Sequence, residues 1–516
     1  MRSRTARPPL ALVVVALLAG VPAVGAQEPA CAPLEGHDDR CEAWGDVFDE
    51  FGPGGFATHY QRPVIVAGAD TVFSTGAYVD PLTGIDPIVT IAYDPATGAR
   101  RWVARYEGPE EGGEAFPYDS TLAPDGGTLY VAGSHTTAAP DRRTNPVVVA
   151  FDAADGSIRW IASFDASPGR FRAVAVSPDG RSVLAAGSTL VSNRDLLVAE
   201  IDAETGAIGW SDALSGPADE GDEALDLAVS SDGERLVVTG ERDYHADYDL
   251  RFERGDIVTI GYDLRRGARD WVAVHDGPLG LRDYPAAVAV SPDGARAFVA
   301  ATQDSDSYAG AGTDDIAVLA YDAATGGDIW TRTFDGSASD NAESLAVSPG
   351  GDLVYVQGTM TAREVQIPDR DVPLDQVVVV TALGSADGAT GWSSVFDAPG
   401  RLTDIGRGLV VDPGGDRVYA TAISGPVWAA GGVGSETVWD LPVDAATVAY
   451  DAHDGAQLWT GRYNGGTGGS APTRSSGIAI SPDGSRVFVL AAVNHPVFNP
   501  ASERRNAAYG TIAYDA

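Results

Sequence analysis

One phrase, an apolar strand followed by an Asp/Gly turn and a strand that opens near tryptophan, recurs along the whole chain. Its clearest copy is Ala320-Tyr-Asp-Ala-Ala-Thr-Gly-Gly-Asp-Ile-Trp330, and further copies end at Trp102, Trp160, Trp210, Trp271, Trp392 and Trp459. A second phrase, Ala-Val-Ser-Pro-Asp-Gly and variants of it, interleaves with the first at Pro124, Pro178, Asp232, Pro292, Pro349, Pro413 and Pro482, and an alternating apolar strand follows each. Periods of roughly 50 to 70 residues with about four short strands in each are the sequence pattern of propeller blades.

The last copy runs through Gly477-Ile-Ala-Ile-Ser-Pro, Arg486-Val-Phe-Val-Leu and Thr511-Ile-Ala-Tyr-Asp-Ala516, and no Trp strand follows it. Glu42-Ala-Trp44-Gly-Asp-Val-Phe48-Asp49 matches Asp328-Ile-Trp330-Thr-Arg-Thr-Phe334-Asp335 at the other end of the chain. The expected fold is therefore all-β: an eight-bladed β-propeller of four-stranded antiparallel blades. Residues 42–49 are expected to complete the C-terminal blade and remove an open sheet edge.

Residues 1–26 combine Arg2, Arg4 and Arg7, an apolar run from Leu10 to Leu18 and the small-residue ending Val24-Gly25-Ala26, which reads as a secretory signal peptide. Residues 27–40 form a short tail and 41–516 a single propeller domain. The expected location is extracellular, and no later segment approaches the length of apolar sequence needed to cross a bilayer as a helix. Cys31 and Cys41, the only cysteines, are expected to pair. A loop this short typically contributes about 2–3 kcal/mol.

The formal charge of −38 repels nucleic acid and anionic membranes. All 35 basic residues are Arg, which excludes Schiff-base lysine chemistry and the lysine of a phosphate-binding P-loop. A closed ring completes its own core, so a monomer is expected.

The repeated residues are read as structural. Ser-Pro-Asp-Gly supplies a proline with preset φ and a glycine tolerant of positive φ, the requirements of a hairpin turn. Asp94, Asp152, Asp202, Asp263, Asp322 and Asp451 recur once per period in the other turn, where an Asp side chain caps neighbouring N–H groups. The repeated Trp residues are expected to pack between neighbouring blades. The phrase Ala-Tyr-Asp-Ala-Ala-Thr-Gly...Trp resembles the tryptophan-docking repeat of the quinoprotein (pyrroloquinoline quinone, PQQ) alcohol dehydrogenase-like propellers. The resemblance covers nearly the whole chain after the signal and implies an eight-bladed fold, with PQQ and calcium as possible cofactors. The vicinal cysteines and the haem-binding Cys-x-x-Cys-His of those enzymes are absent.

Binding is expected where the repeat breaks down. The longest connections between the second and third strands of a blade span 240–255, 357–375, 423–444 and 492–510. Trp428 and Trp439, the only Trp residues outside the repeat, fall in the third of these, and His495, Phe498, Arg504 and Arg505 in the fourth. Aromatic rings beside Arg can stack on a sugar, a ring or a peptide side chain. Acidic residues crowd the connections between blades, and Asp219, Asp222, Asp283, Asp340 and Asp404 are the candidate ligands for a hard cation, although their spacing matches no calcium loop. The seven His residues form no metal-ligand pair.

Three readings follow. The first is a secreted binding or scaffold propeller that takes a small molecule, glycan or protein on its loop-rich face. The second is a quinoprotein-like dehydrogenase using PQQ and calcium in the central channel. The third is a metal-dependent hydrolase of the lactonase type.

Overall fold

The structure, a computed structural model, describes residues 43–48, 56–57, 64–79, 86–109, 113–137, 142–164, 168–190, 193–247, 252–308, 311–336, 339–367, 370–398, 403–425, 444–463, 473–499 and 504–516. Among them every regular element is a β-strand. The strands follow one another in antiparallel groups of four that begin at Val64, Glu114, Gly169, Gly221, Tyr284, Asn341, Thr403 and Thr473, and the short strand Phe56–Ala57 adds a fifth to the first of them by pairing with Val72–Val79. Each group is named below by its first residue. One parallel bridge, Gln376 to Thr403, ties the Asn341 and Thr403 units together.

The fourth strand of the Thr473 unit comes from the other end of the chain. Trp44–Phe48 runs antiparallel to Arg504–Asp515, with Trp44 opposite Ala513 and Phe48 opposite Tyr509. Phe48 is 1% exposed and packs with Tyr93, Phe488 and Ala513. First strands touch first strands in chain order from Val64–Ala67 to Thr473–Ile480, and the strand at Thr473 in turn touches the one at Val64. They are the innermost strands.

Both repeated phrases form the turns expected of them. In the turn after the third strand, Asp94 Oδ1 accepts from the N–H groups of Ala96 and Thr97, and Gly98 adopts a φ of 70°. In the turn after the first strand, Ser177 Oγ donates to Asp179, which also accepts from Arg181 N, and Gly180 lies at φ 72°. Glycine is the one residue that takes such angles without strain.

Each repeated tryptophan docks onto the turn of the next unit. Trp102, Trp160, Trp271, Trp330 and Trp392 donate their indole N–H to the carbonyls of Ala153, Ala203, Ala323, Ser385 and Ala452 at 2.9–3.1 Å. Trp44 does the same to Pro95 at 2.9 Å. The glycine of the receiving turn lies flat on the ring: a Cβ on Gly326 would stand 2.6 Å from Trp271. Trp210 and Trp459 make no such bond among the described residues, and Trp210 shows why. It faces the variant turn Asp263-Leu-Arg-Arg-Gly267, and its buried indole nitrogen finds no acceptor among the described residues.

Candidate binding site at the channel mouth

Seven first strands break register at one place. The ladder shifts between Pro117 and Asp119, Phe171 and Ala173, Ala224 and Asp226, Pro285 and Ala287, Ala342 and Ser344, Gly406 and Gly408, and Ser475 and Gly477. A bulge leaves one residue unpaired and re-aims its side chain. Here the re-aimed residues, on the innermost strands, include Tyr118, Arg172, Glu343 and Arg407. Neighbouring ones meet: the Arg172 guanidinium lies over the Tyr118 ring at 4.8 Å, and Arg407 stands 3.7 Å from Glu343.

Arg172 also belongs to a polar cluster shared by the Gly169 and Gly221 units. Glu223, 8% exposed in its side chain, accepts from Arg170 Nε at 2.6 Å and Nη2 at 3.0 Å, and from Arg172 Nε at 3.0 Å. Arg194 Nη1 approaches at 3.4 Å and Ser188 Oγ at 3.2 Å. Burial raises the Glu223 carboxyl, but the Arg170 and Arg172 guanidiniums outweigh it and hold the group down to about 2. The next units carry a second cluster, in which Arg282 pairs with Glu241 and Glu253 and stacks against Tyr244 at 4.6 Å and Tyr284 at 5.0 Å.

Of the candidate cation ligands, four are used by the backbone. Asp222 accepts from Gly216 N and Asp243 N, Asp283 from Gly277 N and Asp304 N, and Asp340 from Gly336 N and Thr361 N. Asp404 accepts from Ala398 N. Each carboxylate thus ties the connection from the preceding unit to its own first strand, and the first three also hold their second strand. Burial raises all four, to about 6 for Asp283 and Asp340, and the backbone donors pull the other way. A sequence signal for this role exists: all four lie nine positions before the Pro, or Ser231 in its place, of the following turn. Asp219 is exposed, with a φ of 54°. No group of three or more His, Cys, Asp or Glu among the described residues is arranged to hold a metal ion.

Deeper on the innermost strands, Asp119 accepts from Ser120 N and from Val174 N of the next unit, and Asp226 repeats the arrangement with Leu227 N and Val288 N. Burial raises them to about 7 and about 6. These cross-unit clamps were missed from sequence. So was the Arg170–Arg172–Glu223 cluster, whose members come from two units.

Three of the expected long connections are extensions of the sheets, and the fourth, 423–444, lies mostly outside the described residues. Second and third strands reach 12–15 residues in Arg235–Asp247 with Phe252–Asp263, Arg296–Tyr308 with Ala311–Asp322, Leu353–Ile367 with Arg370–Gly384, and Arg486–Asn499 with Arg504–Asp515. Their counterparts Thr128–Thr136 and Ser182–Leu190 have nine. The pair at Arg296 was not among the expected long connections. On the last hairpin Phe498 pairs with Arg505 and Asn499 with Arg504, and His495 falls in the irregular step between Asn494 and Phe498. Trp428 and Trp439 lie outside the described residues, as do Cys31, Cys41 and the signal region.

A family model described as outer membrane protein assembly factor BamB matches residues 86–170 and 144–367, together more than half of the chain. The chain belongs to that family. The match agrees with the PQQ-like repeat read from the Trp-docking phrase. No curated protein matches the chain. Among solved structures, Chaetomium thermophilum Sqt1, bound to the N-terminus of ribosomal protein L10, is 13% identical, with 91% of this chain and 98% of that one covered and a TM-score of 0.53. Quinohemoprotein alcohol dehydrogenase ADHIIG from Pseudomonas putida HK5 is 13% identical over 89% of this chain and 75% of that one, with a TM-score of 0.49. BamB from Moraxella catarrhalis is also 13% identical, over 92% and 98%, at 0.44. At such identities the Sqt1 likeness speaks for the propeller fold alone.

Among the described residues, most of the repeated tryptophans and three of the candidate cation ligands are already engaged within the fold. The described tryptophans of the repeat sit on outer strands, and six of them, counting Trp44, donate to backbone carbonyls of the next turn. Asp222, Asp283 and Asp340 already spend both carboxylate oxygens on backbone N–H groups.

Proposed function

We propose that the chain is an exported, eight-bladed, closed propeller that acts as a binding or scaffold module, with a protein as its partner. The Trp44–Phe48 ladder, the docking of Trp44 on Pro95 and the cyclic contact of first strands support closure by the N-terminal strand. In this reading residues 1–26 are removed on export, Cys31 and Cys41 pair in the tail, and residues 41–516 work as one monomeric domain outside the cytoplasm.

The observation that carries the binding role is the asymmetry of the two faces. One is tiled by near-identical turns. The other raises four hairpins well beyond the length the sheets need, on a scaffold rigid enough to aim them. A protein is favoured over a glycan or a small molecule because the family is described as an assembly factor and the Sqt1 structure holds a protein segment. Trp428, Trp439, His495, Phe498, Arg504 and Arg505 remain the proposed contacts.

The test is to trim residues 353–384 to the length of the 128–152 hairpin and compare the tagged exported variant with the full chain isolated from the producing cell. The two should melt alike, and the variant should lose its co-purifying protein. A partner set indifferent to trimming, or stoichiometric calcium-dependent uptake of PQQ in a calorimetric titration, would replace this reading with the dehydrogenase one.

A further inference from the structure

The cluster around Glu223 holds more positive charge than its partner needs. Arg170 and Arg172 engage Glu223 through Nε and Nη2, and Arg194 through Nη1 alone. Nη1 of Arg172, and Nε and Nη2 of Arg194, are therefore not used on it, whereas Arg170 has a further hydrogen-bond partner in Tyr118. The three side chains keep 29%, 31% and 44% of their surface exposed, whereas Glu223 keeps 8%. Asp222, next in sequence, is turned away into its backbone clamp, and Asp119 is occupied by Ser120 N and Val174 N.

Gathering guanidiniums costs free energy through their mutual repulsion, and one carboxylate offsets only part of it. The arrangement is also stiff. Tyr118 underlies two of the guanidiniums, at 5.7 Å for Arg170 and 4.8 Å for Arg172, and Glu223 is itself buried. A pre-positioned set of planar forks with spare donors suits a second planar or tetrahedral oxyanion. This surplus stands out in a chain with 73 acidic and 35 basic residues, whose overall field would keep a loosely attracted anion away.

We propose that Arg170, Arg172 and Arg194 form an oxyanion site at the channel mouth, which takes a carboxylate or phosphate group, with Glu223 as the positioning residue that fixes the forks. The site is built from first strands and the short hairpin of the Gly169 unit, so it stands independently of the long hairpins.

Calorimetric titration of the full exported chain at low ionic strength with triglutamate, and separately with inorganic phosphate, tests this. At least one probe should bind, and binding should weaken roughly tenfold in Arg172→Gln and severalfold in Arg194→Gln, in line with the loss of charge-assisted bonds. Glu223→Gln keeps an amide oxygen that can still accept from the forks and hold them, but removes the competing negative charge, so it should tighten binding, a change that a purely structural knot would not produce. Arg194, the most exposed of the three and held by one 3.4 Å contact, can be replaced without risk to folding, which a parallel melt verifies. Preference for triglutamate identifies a carboxylate-bearing partner, and preference for phosphate a phosphorylated ligand. Failure of both probes in the native chain, or unchanged binding in both arginine variants, overturns the site. The hairpin-trimmed variant should keep its oxyanion binding, which separates the failure of this site from that of the partner reading.

Discussion

Aspartate serves both ends of the propeller, in opposite electrostatic settings. At the turns, Asp94 and Asp483 sit near solvent. Arg101 and Thr97 hold the first down to about 2, and Ser481 and Ser485 do the same for the second. At the other end Asp283 and Asp340 are fully buried, and desolvation pushes them up to about 6 although each accepts from two backbone N–H groups. A turn must be capped in every unit, and water can share that work. A connection between units is closed off from water, so its clamp carries a desolvation penalty that its donors only partly offset. The repeated face is thus cheap to build and uniform, and the variable face stores strain in the form of buried charge.

The sharpest way to break the picture is to delete residues 42–49. Removing the closing strand exposes the edge of Arg504–Asp515 and takes away Phe48, whose burial alone is worth about 3–5 kcal/mol. The expected result is a melting temperature lower by more than about 10 °C, measured by calorimetry. A truncated chain that melts like the parent would refute closure. Next, Asp283→Ala strands the N–H groups of Gly277 and Asp304 and should cost about 2–4 kcal/mol in chemical denaturation. Asp94→Ala should cost clearly less, because its donors can turn to water. Equal costs would erase the contrast between the faces.

Gly326→Ala places a methyl 2.6 Å from the rigid Trp271 ring at a φ of 70°, and should cost about 1–3 kcal/mol. A smaller difference is expected within the tryptophans. Trp271→Phe abandons a 3.0 Å hydrogen bond to Ala323, whereas Trp210→Phe loses none, so the first should exceed the second by about 1 kcal/mol.

The pH dependence follows with opposite signs. Turn carboxyls with lowered values contribute stability that is present above the ordinary 3.8 and lost as pH falls towards about 2. Buried carboxyls with raised values favour the folded state when protonated, and that contribution is lost as pH rises from 3.8 through about 6 for Asp226, Asp283 and Asp340 and about 7 for Asp119. Denaturation midpoints measured across pH should therefore peak between about 4 and 6 and decline by pH 8. A midpoint that climbs steadily to pH 8 would contradict the raised values.

The turns and the docking tryptophans were legible in the sequence because each is a local event repeated with the same residues. Trp44 could be matched to Trp330 for the same reason. The bulge was not, since the residues it re-aims share no chemistry: Tyr118, Arg172, Leu225, Ala286, Glu343 and Arg407. A bulge is a property of backbone register, and it places no common demand on the residue type that it re-aims. Three of the four long connections, 240–255, 357–375 and 492–510, continue the repeat as paired hairpins, which sequence does not reveal because a paired hairpin and an unpaired stretch of polar residues look alike until the register is known. The Glu223 cluster was hidden for a different reason, in that it joins residues more than fifty positions apart across two units.

The ladder between Trp44–Phe48 and the C-terminal strand has a mechanical consequence. The two strands are antiparallel, and the pair Trp44 and Ala513 lies at the end where both chain termini depart. Tension on the termini would load that pair first and then the next, as in opening a zipper, with no point at which all the bonds of the ladder share the force. On the proposed closure, a seam that holds against heat is therefore weak against pulling, and any machine that grips both ends would peel this ladder before it met the next sheet.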